Sequence, residues 1–134
     1  MKLDPEGQAS INFQWKEFEC KCGCGFGLQP YDVDPRLIEG LQLLRTILQV
    51  PVYINSACRC HAHNQKIGGA LGSQHVLGKA ADVRCGIPGK RTVQRIAEVA
   101  ETIPVFRDGA ILQYWTKGFC HLDVRKHRVR VINP

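Results

Sequence analysis

Two histidines and one aspartate occur where they could share a metal ion. The stretch GSQHVLGKAAD, residues 72–82, places His75 in a glycine-flanked loop and Asp82 in an apolar run typical of a strand. A carboxylate inside an apolar strand is costly unless a partner compensates its charge. His121, in the strand-like run FCHLDV, would complete a set of three Zn²⁺ ligands that keeps a fourth position open for water.

The chemistry of such a site is hydrolysis. Zinc would neutralise Asp82 inside the sheet and would activate a water molecule as a nucleophile near neutral pH. The alternative is that His75 and His121 are unrelated surface histidines and that Asp82 is a turn residue. The spacing of His75 and Asp82 does not by itself decide between these interpretations.

Seven cysteines form a second group of candidate ligands. They are Cys20, Cys22, Cys24, Cys58, Cys60, Cys85 and Cys120. The odd number leaves at least one thiol unpaired within the chain. One interpretation is a structural metal bound by Cys20, Cys22, Cys24 and Cys60, with His61 or His63 as a further candidate ligand. Because the spacing is C-x-C and not C-x-x-C, we favour reduced packing thiols over this second metal.

The surrounding elements show helical and strand patterns. DPRLIEGLQLLRTILQ has Asp34 at the N-cap position and Pro35 at the first helical position, followed by apolar residues at helical spacing. KRTVQRIAEVAETI predicts a second helix. Short strand-like runs are VPVYIN, KAADVRC, GAILQYW, GFCHLDVR and RVRVIN. We therefore predict an α+β fold, in which a small antiparallel sheet packs with two main helices.

Length and charge limit the alternatives. A chain of 134 residues with 44% hydrophobic content supports one core, so we predict a single domain over 1–134 with a loosely ordered N-terminal arm over 1–12. The formal net charge of +6 favours anionic partners. No segment approaches the roughly 18 apolar residues of a bilayer span, and the N-terminus lacks a signal-like apolar run. We expect synthesis in the cytoplasm without a signal peptide and without a membrane partner.

Two stretches of the sequence resemble the M15 family of zinc peptidases, especially its D-Ala-D-Ala carboxypeptidase-like branch in bacterial and phage cell-wall enzymes. They are INSACRCHAHNQKIGGALGSQHVLGKAADV and the later FCHLDVR. The resemblance runs from about Phe13 to Arg125. Its pattern is S-x-H-x-x-G-x-A-x-D with a later H-x-D-x-R. The matching residues are Ser73, His75, Gly78, Ala80, Asp82, His121, Asp123 and Arg125. The resemblance implies a hedgehog/DD-peptidase-like fold and one catalytic zinc bound by His75, Asp82 and His121.

The resemblance also implies contacts with the substrate. Arg59 matches the arginine of the family's S-G-Y-R segment, here SACR, and would hold the substrate's carboxylate or carbonyl. We expect Ser73, Gln74 and Arg125 to contact the substrate as well. For Arg125, an ion pair with Asp123 is an equal alternative.

The general base requires a separate argument. Better-known relatives place an acidic residue three positions before the last zinc histidine, where this chain has Gly118. Asp123 lies two residues after His121, so both side chains face the same way on a strand. General base and orientation of a ligand histidine are both interpretations of Asp123, and we slightly favour the base. Asp108 is a third candidate, although a turn residue is its simpler interpretation.

Together these features predict a zinc metallopeptidase that hydrolyses peptidoglycan stem peptides, as a D-Ala-D-Ala carboxypeptidase or as an endopeptidase of the endolysin type. We expect a monomer that acts on the bacterial cell wall after release by a phage or from a phage particle. The alternative is a non-catalytic zinc-containing module that binds the cell wall. A nucleic-acid-binding protein would leave His75, Asp82 and His121 unexplained, and the basic run RKHRVRVI lacks the aromatic residues that stack on bases.

Overall fold

A computed structural model describes residues 7–134 of the chain. Residues 1–6, which belong to the predicted N-terminal arm, lie outside the described residues. Within the remainder of that arm, Ala9 is buried and its N–H donates to the carbonyl of Phe13 at 2.8 Å. The hydroxyl of Ser10 donates to Gln42 Oε1 at 2.7 Å. Residues 8–10 therefore make defined contacts with the rest of the chain.

Helices and strands follow one another in the order that the patterns predict. The α-helices of residues 7–134 are α1 (Pro35–Leu48), α2 (His61–Lys66), α3 (Arg91–Ala100) and α4 (Pro104–Arg107). The strands are β1 (Val52–Ser56), β2 (Ala80–Cys85), β3 (Ala110–Tyr114), β4 (Phe119–Asp123) and β5 (Val129–Asn133). Short 3-10 helices cover Trp15–Phe18, Pro30–Asp32 and Gln74–Leu77. The predicted α+β class is confirmed, and the short helices α2 and α4 are additions to it.

The strands form one sheet in the order β1-β2-β4-β3-β5. The pairs β1–β2, β2–β4 and β4–β3 are antiparallel, as predicted, but β5 pairs with β3 in parallel. Neighbours already occupy both edges of β4, so β5 cannot pair with β4 and instead joins the free edge of β3. The chain leaves β4 at Asp123, opposite Ala110, and β5 begins with Val129 opposite the same residue. The strand β5 therefore runs in the direction of β3.

One face of this sheet is covered by helices. Helix α3 packs on β2, β3 and β4, and α1 packs against α3 and α4. Because side chains alternate along a strand, every second residue of β2 and β4 enters this core. These residues are Ala81, Val83, Cys85, Cys120 and Leu122. Asp82 and His121 lie between them in the sequence and project from the opposite face.

Local signals explain where α1 begins and ends. The carboxylate of Asp34 accepts a hydrogen bond from the N–H of Arg36 at 2.9 Å, which satisfies a free N–H of the first turn. Pro35 follows at the first helical position, where its missing N–H costs nothing. The helix ends at Leu48, and the next residue, Gln49, adopts the left-handed conformation with φ 58°. No helix within residues 7–134 is both long enough and apolar enough to span a bilayer.

Gly78 sets the path of the chain between His75 and Asp82. It ends the 3-10 helix Gln74–Leu77 with a left-handed φ of 69°. A Cβ atom at this position would overlap the backbone carbonyl oxygen of Asp32. The segment between the two candidate ligands is therefore held against the end of the 3-10 helix Pro30–Asp32, just before α1, by a contact that only glycine permits.

The substitution Gly78→Ala should lower the free energy of unfolding by more than the roughly 1–2 kcal/mol that a left-handed conformation costs a non-glycine residue, because the methyl group also meets the Asp32 carbonyl. Gly89→Ala is the matched control, since Gly89 has φ 70° and open space around its missing side chain. Urea unfolding of both variants measures the difference. Equal losses in the two variants would contradict a role for the Asp32 contact.

Candidate metal centre

The three predicted metal ligands meet on the face of the sheet opposite the helices. Asp82 of β2 lies directly opposite His121 of β4 in the antiparallel register, so their side chains are neighbours. His75 enters from the 3-10 helix, whose first turn is capped by the Ser73 hydroxyl accepting from the His75 N–H at 3.2 Å. All three side chains are buried.

Their ligand atoms converge on one carboxylate oxygen. His121 Nδ1 lies 2.9 Å and His75 Nε2 lies 3.2 Å from Asp82 Oδ1. One ligand atom from each of the three residues falls within 4.8 Å of the others. Zinc bonds of about 2.0–2.2 Å to nitrogen and oxygen require ligand atoms this close to one another. The donor set therefore fits a zinc ion in composition and in spacing.

Each imidazole is also held through its other nitrogen. His75 Nδ1 lies 2.6 Å from the carbonyl oxygen of Ala57, which can only accept, so Nδ1 carries the proton. His121 Nε2 lies 2.7 Å from Asp123 Oδ2 and likewise donates. In neutral rings, the nitrogens that face Asp82 would then present lone pairs toward its oxygen. Such convergent acceptors need a cation between them, which is either a second proton on each ring or a metal ion. Imidazoles whose other nitrogen donates a hydrogen bond to a carbonyl or carboxylate are typical of metal ligands.

Electrostatics at the site favour a negative aspartate beside positive charge. Burial alone would raise the pKa of Asp82, but hydrogen bonds with His121 and His75 outweigh burial and hold that pKa below its ordinary value. Burial would lower the pKa of His121, but hydrogen bonds with Asp123 and Asp82 outweigh it and raise the pKa. The buried carboxylate is thus ionised and attracts a cation.

Asp123 lies behind His121 and not in the open part of the site. The residue is fully buried. Arg125 donates from Nε to Oδ1 at 2.8 Å and from Nη2 to Oδ2 at 2.6 Å. Burial would raise the pKa of Asp123, but hydrogen bonds from Arg125 and His121 hold it below its ordinary value. The carboxylate is therefore ionised, and both of its oxygens are engaged.

Arg59 contacts the second oxygen of the central aspartate. Its Nη2 donates to Asp82 Oδ2 at 3.1 Å, and its Nε donates to the Ser56 hydroxyl at 3.0 Å. Its Nη1 donates to Asn64 Oδ1 at 3.3 Å. Asn64, a buried residue of α2, was missed in the sequence because no periodic pattern marks so short a helix. The guanidinium orients Asp82 and also reaches the surface of the adjoining cavity.

An open cavity of about 470 Å³ adjoins the three candidate ligands. All four predicted substrate contacts line it, namely Arg59, Ser73, Gln74 and Arg125. Tyr114, Lys117 and Phe119 line it too, and the rings of Tyr114 and Phe119 stack with centroids 4.8 Å apart. Phe119 lies two residues before His121 on β4, so strand alternation could have predicted its place. Among the lining residues of the described chain, Asp82 supplies the only carboxylate.

Other residues singled out in the sequence lie elsewhere. Asp108 is exposed at the end of α4, pairs with Arg107 at 3.2 Å and does not line the cavity. His127 is exposed as well. Cys58 is buried, and burial raises the pKa of its thiol to about 12. These three side chains therefore lie outside the cavity.

A comparison with protein families agrees with this geometry. The sequence model of the family described as Peptidase M15 matches residues 11–123. The match includes the three candidate ligands and ends at Asp123. A search of curated proteins finds no match. The family match confirms the resemblance seen in the motif around His75, Asp82 and His121.

The substitutions His75→Ala and His121→Ala should each lower the zinc content of the purified protein by one equivalent, because each removes one of the three ligand atoms. Elemental analysis of the folded variants measures this. His127→Ala removes an exposed histidine away from the cavity and should retain all the zinc. Unchanged zinc content in both ligand variants would contradict this metal centre.

Proposed function

The chain belongs to the peptidase M15 family, and on this premise we propose that it is a zinc-dependent metallopeptidase that hydrolyses peptidoglycan stem peptides. Membership makes the chain a metallopeptidase, whereas the metal and the substrate are the proposal. The observation that supports the metal is the convergence of two imidazole nitrogens on one oxygen of a buried carboxylate. That arrangement requires a cation, and its ligand types are those that zinc prefers.

In this proposal, His75 Nε2, His121 Nδ1 and Asp82 hold the zinc ion. When bound, zinc supplies a Lewis acid that polarises a carbonyl group and activates water near neutral pH. The carbonyl of Ala57 and the carboxylate of Asp123 keep the protonated nitrogens turned away from the metal. The role we assign to Asp123 is thus orientation of His121, the second of the two roles weighed from the sequence.

The cavity surface supports an anionic peptide as substrate. Arg59, Lys117 and Arg125 line it together with the single carboxylate of Asp82. Arg59 pairs with Asp82 and Arg125 pairs with Asp123, so Lys117 and the metal would supply the remaining positive charge. Stem peptides carry free carboxylates at their D-amino-acid termini and side chains, so they match this charge. The stacked rings of Tyr114 and Phe119 add an apolar wall against which alanine methyl groups can pack. Substrate positioning is therefore assigned to Arg59 and Arg125, with Ser73 and Gln74 beside His75.

The proposal includes the site of action. The protein works on the bacterial cell wall as a monomer, delivered by phage release or with a phage particle, and binds neither nucleic acid nor membrane. Its formal net charge of +6 suits a wall rich in carboxylates and phosphates. Both a D-Ala-D-Ala carboxypeptidase and an endopeptidase are compatible with a cavity that is open to solvent.

One observation favours a second candidate function, a non-catalytic zinc-containing module that binds the cell wall. Among the described lining residues no acidic side chain other than Asp82 is present, so the cavity wall offers no separate carboxylate as a proton acceptor. Hydrolysis by this site would then rely on another acceptor, such as the substrate's own carboxylate. Binding would need none.

Incubation of zinc-loaded protein with purified sacculi separates the two functions. The enzyme should release muropeptides with new termini, and mass spectrometry identifies the bond. Loss of a terminal D-alanine indicates a carboxypeptidase, and a new internal amino terminus indicates an endopeptidase. The His121→Ala variant is the inactive control. Sedimentation with sacculi from several species without any new terminus would overturn the enzyme and support the binding module.

The substitution Asp123→Asn should weaken zinc affinity by about 10- to 100-fold, the usual cost of losing a partner that orients a ligand histidine. Because the ligands themselves remain, added zinc should restore most of the hydrolysis rate. Competition with a zinc chelator measures the affinity, and Asp108→Asn, which changes an exposed carboxylate, is the control. A rate loss of about 10²- to 10⁴-fold that saturating zinc does not restore would instead identify a general base.

A further inference from the structure

A second cluster of metal-binding side chains lies outside the cavity. Cys20, Cys22 and Cys24 belong to the glycine-rich loop after the 3-10 helix Trp15–Phe18, and Cys60 lies directly before α2. The Sγ atom of Cys20 lies 3.5 Å from that of Cys22 and 3.9 Å from that of Cys60. Cys22 and Cys60 are separated by 3.7 Å between their Sγ atoms, and all four sulfurs fall within 4.8 Å of one another.

These separations match the edges of a metal tetrahedron. Four Zn–S bonds of about 2.3 Å in tetrahedral arrangement place the sulfurs about 3.8 Å apart. A disulfide would need a sulfur–sulfur distance of about 2.05 Å, and the cysteines of the described chain are free thiols. The cluster therefore has the spacing of four ligands around one ion.

Packing does not explain this cluster. Reduced packing thiols, the interpretation favoured from the sequence, should be buried, and Cys58, Cys85 and Cys120 are. Cys22 and Cys24 are exposed, so they fill no space in the core. Their convergence with Cys60, which is 40 positions from Cys20, needs a different cause.

The backbone of the loop turns the sulfurs toward one point. Gly23 and Gly25 adopt left-handed conformations with φ 82° and 92°, which permits tight turns between successive cysteines. The N–H of Cys60 donates to Cys20 Sγ at 3.5 Å, and the N–H of His63 donates to Cys60 Sγ at 3.4 Å. Such N–H···S hydrogen bonds stabilise sulfurs that carry negative charge, as metal-bound thiolates do.

We propose that Cys20, Cys22, Cys24 and Cys60 bind one Zn²⁺ ion in a closed tetrahedral site. Four protein ligands fill the coordination sphere and leave no position for water, so the ion has a structural role. Binding releases the thiol protons to solvent and transfers no electron.

The site would couple the N-terminal segment to the active-site cavity. Cys60 follows Arg59, whose guanidinium holds Asp82, and the N–H of Cys58 donates to the carbonyl of Phe18 at 3.1 Å. An ion bound by Cys20 and Cys60 closes the long loop between them and anchors the segment that positions Arg59. Loss of this ion should therefore lower stability while the other zinc remains bound.

Elemental analysis of four proteins tests the proposal. The unmodified chain should carry two zinc equivalents, and the His75→Ala/His121→Ala variant should carry one. The Cys22→Ser/Cys24→Ser variant should also carry one and should unfold at lower temperature. Cys85→Ser, which changes a buried thiol outside the cluster, is the matched control and should keep both.

The absorption spectrum of bound Co²⁺ shows whether the metal ligands are thiolates. When Co²⁺ replaces zinc in the His75→Ala/His121→Ala variant, thiolate-to-cobalt charge-transfer absorption should appear, and it should be absent when Cys22→Ser/Cys24→Ser is added. The cobalt spectrum does not depend on hydrolysis, so it tests the cysteine site separately from the proposed function. A single zinc in the unmodified chain that His75→Ala removes would overturn the proposal, as would iron in place of zinc or disulfide-bonded cysteines in the purified protein.

Discussion

The buried carboxylate of Asp82 is the constraint on which the rest of the site depends. Its position in β2, opposite His121, removes it from water on a sheet face where an isolated charge would be unfavourable. Arg59 compensates one oxygen, and two imidazoles meet the other. The imidazole of His121 in turn requires Asp123, and Asp123 requires Arg125. Hydrogen bonds connect this row of side chains, so a change at one member alters the hydrogen bonding of the next.

Sequence patterns predict those parts of the molecule that depend on local spacing. The alternation in KAADVRC and GFCHLDVR places Asp82 and His121 on one sheet face, and the N-cap at Asp34 marks the start of α1. The parallel pairing of β5 was not predictable in this way, because strand order depends on which edges are already occupied. The arrangement at Asp123 is similar, since alternation puts it beside His121 but does not show that Arg125 engages both of its oxygens.

The cysteine cluster shows the same limit over a longer distance in sequence. Its C-x-C spacing is not typical of zinc sites, and nothing in the pattern relates Cys60 to Cys20. Proximity arises because the loop after the 3-10 helix Trp15–Phe18 and the segment before α2 meet, joined by the hydrogen bond from Cys58 to Phe18. The sequence shows the glycines of the loop. Their left-handed turns indicate a metal site only because the structure also places the sulfur of Cys60 beside the loop.

The parallel strand β5 has a consequence for how copies of the molecule behave toward one another. In the described part of the chain it forms an edge of the sheet, and edge strands offer free backbone groups that can pair with another chain. Val131 and Ile132 are exposed on it, which adds an apolar surface to that edge. Arg128 and Arg130 precede these two residues, and Arg130 is tied to Glu101 by two hydrogen bonds of 2.8 Å. Charged side chains on an edge strand disfavour its pairing with a second chain, and Arg128 and Arg130 are of this kind.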